Sequence, residues 1–197
     1  MKRKRLISNI VICFFLGLTA VVWLFPLIMA LINSFKTNSE LLTNVMSLPS
    51  SIHFDNYFKT IEKMHYLRSL GNTVFVAALS VLMIILFSAL AGWRLCRTKT
   101  KLSSFLFGLF IFSMIIPFNS IMIPLYKIIL TFHIKNSLVG LSFVYAGLGV
   151  SMAIFLYHGF VKGIPVEMEE AAAIDGCSNI KTFFYIIFPM LKPITAT

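Results

Sequence analysis

Long apolar runs separated by polar connections dominate this chain. Four of the runs reach the roughly 20 mainly apolar residues that a helix needs to cross a bilayer. They cover residues 6–32, 71–93, 102–126 and 137–157. Backbone polar groups in hydrocarbon must be satisfied within their segment, and these runs are too long and too uniformly apolar for barrel strands. The pattern therefore predicts an all-α, polytopic integral membrane protein.

Features of individual runs refine this prediction. The first run follows the basic residues 2–5 and exceeds the roughly 7–15 apolar residues of a signal peptide, so we predict a spanning helix that stays in the protein. The third run contains Pro117 and Pro124, which predict kinks in its helix. A further apolar stretch begins near residue 182 and is interrupted by prolines and a lysine. It predicts the start of a fifth membrane segment.

Composition agrees with a membrane protein. The chain is 58% hydrophobic and 12% charged, whereas soluble domains carry about 25% charged residues. The formal net charge is +10, but the basic residues lie mainly between the apolar runs, so no nucleic-acid partner is expected. The cysteines at 13, 96 and 177 have neither a disulfide framework nor metal-ligand spacing. We expect no metal and no cofactor.

The distribution of Lys and Arg among the connections predicts the orientation. One set of connections contains Lys2, Arg3, Lys4, Arg5, Arg94, Arg97, Lys99, Lys101, Lys162 and Lys181. The opposite set contains Lys36, Lys59, Lys63, Arg68, Lys127 and Lys135. The first set is larger, and four residues of the second are spread over a long loop. The N-terminus is therefore predicted to be cytoplasmic.

The long loop over residues 33–70 ends the first of two predicted domains. Within it, residues 54–66 have helical apolar spacing, typical either of an amphipathic helix on the outer surface or of an ordinary capped loop helix. The apolar positions are Phe54, Tyr57, Phe58 and Ile61. We divide the chain into residues 1–70, with the N-terminal tail, first helix and loop, and residues 71–197, with the remaining helices.

The connection after the fourth run predicts two short helices over residues 159–193. Pro165 suits a first helical position, because its missing N–H would be unpaired there. Acidic side chains follow in the first turns, where the helix dipole favours negative charge, and alanines continue the helix. These residues are Glu167, Glu169, Glu170, Ala171, Ala172 and Ala173.

Gly176 follows Asp175 and is expected to end the first short helix in the left-handed conformation. Ser178 or Asn179 is expected to cap the second. From composition alone, this segment is either a plain helical hairpin between two spans or a surface that approaches another protein closely.

The same segment resembles the EAA loop of binding-protein-dependent ABC importer permeases. The residues that carry the resemblance are Glu170-Ala171-Ala172, Asp175-Gly176, Pro189 and Pro193. The longer pattern from Pro165 through Glu167, Glu169 and Ile174 to Gly176 resembles the carbohydrate-uptake branch, the maltose-type inner-membrane permeases. So do Gly71-Asn72-Thr73, Pro124-Leu125-Tyr126, Asn136-Ser137-Leu138 and Gly159-Phe160.

This resemblance implies a permease subunit that imports a mono- or oligosaccharide across the bacterial cell membrane. The implied partners are a cytoplasmic ATP-binding subunit, a second permease subunit, an extracytoplasmic solute-binding protein, the sugar and membrane lipid. The EAA loop, about residues 159–181, is the implied coupling helix. Glu170, supported by Glu169, would pair with a basic group of the ATPase, and Gly176 would permit the tight turn. Ala171, Ala172 and Asp175 belong to the same implied surface.

The sequence departs from the family pattern at two places. Cys177 stands where the family usually has Ala, a small change that we expect to be tolerated. The family's subunits usually have six spans, whereas about five are expected in this chain. We therefore expect a C-terminally truncated member, which is an excerpt of a longer chain, a gene fragment or a frameshifted remnant.

Polar and aromatic groups at membrane depth are candidates for the solute path, notably Asn119, Tyr145 and Ser151. Such residues also often bond only a neighbouring helix, and that interpretation stays open for these three and for Ser113 and Ser142. The chain has no GxxxxGK[ST] phosphate loop and no cluster of acid, base and nucleophile, so no enzyme activity is expected. The alternatives are a non-sugar cargo and a non-functional permease remnant or membrane scaffold.

Overall fold

The computed structural model describes residues 2–196, with side chains described from residue 9 onward. Every regular element in that range is helical. The longer elements are α1 (Lys2–Ser34), α4 (Tyr66–Arg97), α5 (Lys101–Ile115), α6 (Phe118–Thr131) and α7 (Leu138–Val161). The shorter ones are α2 (Asn38–Thr43), α3 (Asp55–Lys63), α8 (Glu167–Ile174), α9 (Asn179–Thr182), a π-helical turn (Phe183–Ile187), α10 (Phe188–Met190) and α11 (Lys192–Thr195).

Three of the described helices are long and apolar enough to cross a membrane by themselves: Asn9–Ser34, Tyr66–Arg97 and Leu138–Val161. A fourth crossing is available if the bent pair α5 and α6 counts as one span. The all-α, multi-pass membrane class predicted from the apolar runs is confirmed. The segment expected to begin a fifth membrane segment is helical in consecutive short pieces, from α9 through the π-helical turn and α10 to α11.

The prediction of a single kinked helix over residues 102–126 is wrong. The chain leaves the helical conformation at Ile116 and Pro117, and the axes of α5 and α6 differ by 107°. A proline disfavours the helical conformation of the residue before it, which explains why Ile116 has a ψ of 118°. Pro124, by contrast, lies inside α6.

The chain divides into two compact units, Met1–Ser69 and Leu70–Thr197. In the first unit, Lys36 is fully buried and its ammonium group donates to the carbonyl oxygens of Asn44 and Val45, both at 3.1 Å. The Asn56 amide donates to the carbonyl oxygen of Lys36 at 2.8 Å. Helix α3 forms within the run predicted to be amphipathic, and it contains no buried residue.

In the second unit, α4 packs against α7 through small and hydroxyl residues. Ser80 donates to the carbonyl oxygen of Ser142 at 3.2 Å, and Ser88 donates to that of Val150 at 3.3 Å. A Cβ atom on Gly92 would lie only 2.8 Å from Cβ of Tyr157. Small residues permit such close backbone approach where lipid offers no hydrophobic driving force between helices.

The buried core of this unit lies where the last turns of α4 and α7 meet the segment after α9. It consists of Ala89, Trp93, Tyr157, Val161, Ile164, Phe183, Ile187 and Leu191. The hydroxyl groups of Tyr157 and Thr195 are 2.9 Å apart, which joins α7 to α11. The hairpin formed by α8 and α9 therefore connects two elements that share one packed core.

Candidate functional site

The hairpin of α8 and α9 is closed by a compact turn at Gly176. Gly176 has a φ of +79°, so it adopts the left-handed conformation predicted for it. The Cys177 amide donates to the Ala172 carbonyl at 2.9 Å, and the Gly176 amide donates to the Ala173 carbonyl at 3.1 Å. This pair of bonds is the Schellman motif, which satisfies the last carbonyl groups of a helix.

Ser178 caps the second helix of the hairpin, as one of the two predicted alternatives. Its hydroxyl accepts a hydrogen bond from the Lys181 amide at 3.4 Å. The prediction that Pro165 occupies the first helical position is wrong, because α8 begins at Glu167 with Val166 as its N-cap residue. The chain is held just before this point, where Nη2 of Arg97 donates to the Ile164 carbonyl at 2.8 Å.

Helix α8 has two different faces. Ala172 is only 4% exposed, and Glu169, one turn earlier, is partly buried on the same face. The opposite stripe has the spacing i, i+3, i+4, i+7 and is exposed throughout. It consists of Glu167, Glu170, Ala171 and Ile174. Ile174 is 87% exposed and adds an apolar side chain to this stripe.

Glu169 bonds residues of its own chain. Its Oε1 accepts a hydrogen bond from Nε of Arg97 at 2.7 Å, and its Oε2 accepts one from Nε1 of Trp93 at 3.0 Å. The Arg97 and Glu169 side chains are each 15% exposed. The Trp93 ring in turn lies 5.2 Å from the ring of Phe183. Glu169 thereby ties α8 to the last turn of α4.

The structure thus separates two glutamates that the sequence analysis grouped. Glu170 is exposed on the outer stripe of α8 together with Ala171, whereas Glu169 is held inside by α4. Asp175 and Gly176 are exposed at the turn. Arg97, expected only as one of the cytoplasmic charges, and Trp93 both bond Glu169. No local spacing separates the two glutamates, because each has an alanine three residues later, Ala172 for Glu169 and Ala173 for Glu170.

The three candidates for the solute path lie in different surroundings. Ser151 lines a cavity of about 360 Å³ beside the break between α5 and α6, and it accepts a hydrogen bond from Ser113 at 2.7 Å. Tyr145 lines a separate cavity of about 430 Å³ between α4 and α7. Asn119 is exposed in the first turn of α6. The structure does not bring these three side chains to one site.

Ser142 fits the other interpretation of a polar residue in a membrane helix, in which the residue only bonds a neighbouring helix. It is fully buried and its hydroxyl donates to the Leu138 carbonyl at 2.9 Å, while its own carbonyl accepts from Ser80 of α4.

Within residues 2–196, no group of three or more His, Cys, Asp or Glu side chains could hold a metal ion.

Together, the apolar helices define a helical, multi-pass membrane protein with an exposed hairpin between its last long helix and the segment after α9. The family model described as "Binding-protein-dependent transport system inner membrane component" matches residues 84–197. The chain belongs to this family, as the EAA pattern indicated, and the family consists of transport components.

Relatives among known proteins match nearly the whole chain. The probable starch degradation products transport system permease protein of Thermoanaerobacterium thermosulfurigenes is 41% identical over 93% of this chain and 67% of that protein. The melibiose/raffinose/stachyose import permease protein of Bacillus subtilis is 34% identical over 100% of this chain and 71% of that protein. The multiple sugar-binding transport system permease protein of Streptococcus mutans is 32% identical over 88% of this chain and 63% of that protein.

A solved structure has the same fold. It is the crystal structure of a bacterial ABC transporter involved in the import of the acidic polysaccharide alginate, matched with a TM-score of 0.85. The match covers 98% of this chain and 68% of that chain, at 24% sequence identity. At this identity the likeness establishes the fold, and it agrees with the permease bundle expected from the sequence.

Proposed function

We propose that this chain is a permease subunit of an ATP-driven importer that carries a mono- or oligosaccharide across the bacterial cell membrane. Three similar permeases are named for starch degradation products, for melibiose, raffinose and stachyose, and for multiple sugars. In this proposal the partners are a cytoplasmic ATP-binding subunit, a second permease subunit, an extracytoplasmic solute-binding protein and the surrounding lipid. The N-terminus is cytoplasmic, and ATP is hydrolysed by the partner.

The two-faced helix α8 is the observation that carries this proposal. Its exposed stripe presents Glu170 and Ala171 beside the apolar side chain of Ile174, while Ala172 is packed inward. A partner that packed against this stripe would remove the Ile174 side chain from water, which favours the contact. Alanine at the centre of the stripe lets a partner approach the helix backbone closely, which favours insertion of α8 into a cleft.

The bonds of Glu169 supply a route for motion from this surface into the membrane. When the ATPase subunits close, they displace α8. Glu169 holds Arg97 and Trp93 at the end of α4, so a displacement of α8 pulls on α4 rather than being absorbed by a loose connection. The Schellman turn at Gly176 keeps α8 and α9 moving together.

Within this mechanism the predicted residues have distinct roles. Glu170 pairs with a basic group of the ATPase, and Ala171 and Asp175 border that contact. Gly176 provides the left-handed turn. Ala172 and Glu169 position the helix from behind. Glu169 is therefore a positioning residue, rather than a second contact to the ATPase as its neighbour in sequence would suggest.

For the solute path, the geometry favours Ser151 among the three predicted residues. Broken helices in membrane proteins are tolerated where they border a cavity, and Ser151 lines the cavity at the break between α5 and α6. After the three native cysteines are replaced, a Ser151→Cys variant should react with a membrane-impermeant thiol reagent, and the transported sugar should slow the reaction. A Ser142→Cys variant, at a fully buried position, should stay unreactive. Equal reactivity of the two would contradict this part of the proposal.

The experiment for the coupling surface is a pull-down from membranes. The tagged chain is co-expressed with the ATPase and the second permease encoded beside it, and compared with Glu170→Lys at equal membrane insertion. We expect the ATPase to co-purify with the native chain and to be lost with the variant. Glu62→Lys, an exposed change on α3, is the matched control and should leave the complex intact. Retention of the ATPase by Glu170→Lys would refute the coupling role.

The cargo is tested separately by uptake. Cells with the complete importer should accumulate labelled oligosaccharides, and the Glu170→Lys variant should not. If the cells accumulated an amino acid or peptide instead, the proposed coupling mechanism would stand, but the cargo would not be a sugar.

A further inference from the structure

A further cavity lies in the second unit, where α4 ends, α5 begins and α7 ends. Its volume is about 680 Å³. Thr98, Lys99 and Lys101 border it from the connection between α4 and α5, and Lys162 borders it directly after α7. Two chain segments that are far apart in sequence thus place three lysines around one space.

The charges around this cavity have one sign. Lys99, Lys101 and Lys162 are all exposed and reach the cavity rim. Among its lining residues, all within the described part of the chain, none is Asp or Glu. The nearby carboxylate of Glu169 is occupied by Arg97 and Trp93. Helix α5 also begins at the cavity, and the partial positive charge of a helix N-terminus adds to the field.

One buried hydroxyl group at the cavity is available to a ligand. Oγ1 of Thr98 is buried and has no hydrogen-bond partner within the described residues. Buried hydroxyl groups are nearly always hydrogen-bonded, because desolvation without a partner costs free energy. Thr98 lines the same cavity as the lysines, so an anionic oxygen bound there would supply the acceptor for its hydroxyl.

The walls of the cavity are not only polar. Leu95 and Phe107 also line it, and the Phe107 ring stacks on the imidazole of His158 with centroids 3.7 Å apart. The cavity lies at the ends of α4 and α7, which are long and apolar enough to cross a membrane, and the ends of such helices are expected near the lipid headgroups. A free anion would gain nothing from the apolar wall, whereas a lipid would bury part of its glycerol and acyl groups against it.

We propose that this cavity binds the phosphate group of an anionic phospholipid. Lys99, Lys101 and Lys162 surround the phosphate, Thr98 donates a hydrogen bond to it, and Leu95 and Phe107 contact the apolar part of the lipid. Basic pockets between helix ends are suited to such headgroups. The bound lipid contacts the same turns of α4 that hold Arg97, so it also restrains the helix end to which α8 is tied.

Native mass spectrometry of the full chain tests this proposal. The chain is released from micelles that contain equimolar phosphatidylglycerol and phosphatidylcholine, and the bound lipids are counted. We expect a preference for phosphatidylglycerol that falls roughly fivefold for each of Lys99→Gln, Lys101→Gln and Lys162→Gln. Thr98→Val should reduce it by a smaller factor, because one hydrogen bond is lost. These are exposed or cavity-facing positions, so folding should be unaffected.

The matched control is Lys127→Gln with Lys135→Gln, two exposed lysines that do not border the cavity. This double variant should keep the native preference. Equal binding of the two lipids, or an equal loss in the control, would overturn the proposal. Millimolar inorganic phosphate is added in a further arm. Displacement of phosphatidylglycerol by phosphate would assign the site to free phosphate and overturn the lipid assignment.

Discussion

Arg97, the last residue of α4, and Glu169, in the first turn of α8, form an ion pair of 2.7 Å across 72 positions of sequence. The carboxylate also accepts a hydrogen bond from Trp93, and Arg97 also donates to the Ile164 carbonyl. Besides their ion pair, Glu169 therefore satisfies the indole N–H of Trp93, and Arg97 satisfies the backbone carbonyl of Ile164. Removing either one leaves partly buried donors or acceptors unpaired, so this contact is suited to hold the hairpin against the bundle.

The first prediction concerns this pair. Arg97→Ala and Glu169→Ala should each lower the free energy of unfolding by about 1–3 kcal/mol, because the remaining partner is left partly buried without a bond. The double variant should lose less than the sum of the two. Unfolding in mixed micelles measures all three, with Arg94→Ala as the exposed control on α4. Additive losses would mean that the pair contributes no mutual stabilisation.

The second prediction concerns the turn at Gly176. A Cβ atom there would meet nothing within 4 Å, but the φ of +79° is strained for other residues. Gly176→Ala should therefore weaken the turn by about 1–2 kcal/mol, and Gly176→Asn should weaken it less, since Asn tolerates this conformation better. Hydrogen exchange of the Cys177 amide, which donates to Ala172, reports the opening. Equal protection of the Cys177 amide in the native chain and in both variants would show that the left-handed conformation at Gly176 does not limit the stability of the turn.

A third prediction tests the contact of α4 with α7. An added Cβ at Gly92 would lie 2.8 Å from Cβ of Tyr157 and 3.0 Å from the His158 amide nitrogen. Gly92→Ala should force the helices apart at a cost of about 1–3 kcal/mol, seen as a lower Tm of the purified chain. Gly147→Ala on α7, where nothing lies within 4 Å, is the control with little expected change. A Tm loss of the same size in both variants would contradict this packing.

The fourth prediction is a pH dependence in the connection before α3. The hydroxyl of Ser50 and the backbone amides of Thr37 and Ser50 donate to the carboxylate of Glu40 and lower its pKa to about 2. Since the pKa of Glu40 in the unfolded chain is near 4.5, its stabilisation of the folded state is fully present above pH 4.5. It is lost as the pH falls through about 2, because the protonated carboxyl no longer favours the folded form.

Hydrogen exchange of the Ser50 amide, which donates to Oε1 of Glu40 at 3.0 Å, measures this loss. After correction for the intrinsic pH dependence of exchange, its protection should decline across that interval. In Glu40→Gln the protection should be lower at neutral pH and independent of pH. A native profile that stays flat to pH 2 would exclude Glu40 as the titrating group.

Local features of this protein were predictable where the rule depends on neighbouring residues. The apolar runs determine the membrane helices, because backbone groups in lipid must bond within their own segment. Gly176 and Ser178 set the ends of α8 and α9 through φ preference and capping. Even the break at Ile116 follows from the proline after it. The presence of a proline does not by itself determine whether a helix breaks, because Pro124 stays inside α6.

Relationships across the chain were decided only by the tertiary structure. From the sequence, Glu169 and Glu170 are equivalent acidic neighbours, and Lys36 is one more loop lysine. Packing of α8 against α4 turns Glu169 toward Arg97 and leaves Glu170 exposed, and folding of the long connection encloses Lys36 between two carbonyl groups. The sequence by itself determined which segments are helical and the class of membrane protein, because those depend on local composition and spacing. Which side chains meet depends on how distant helices approach, and local patterns carry no such information.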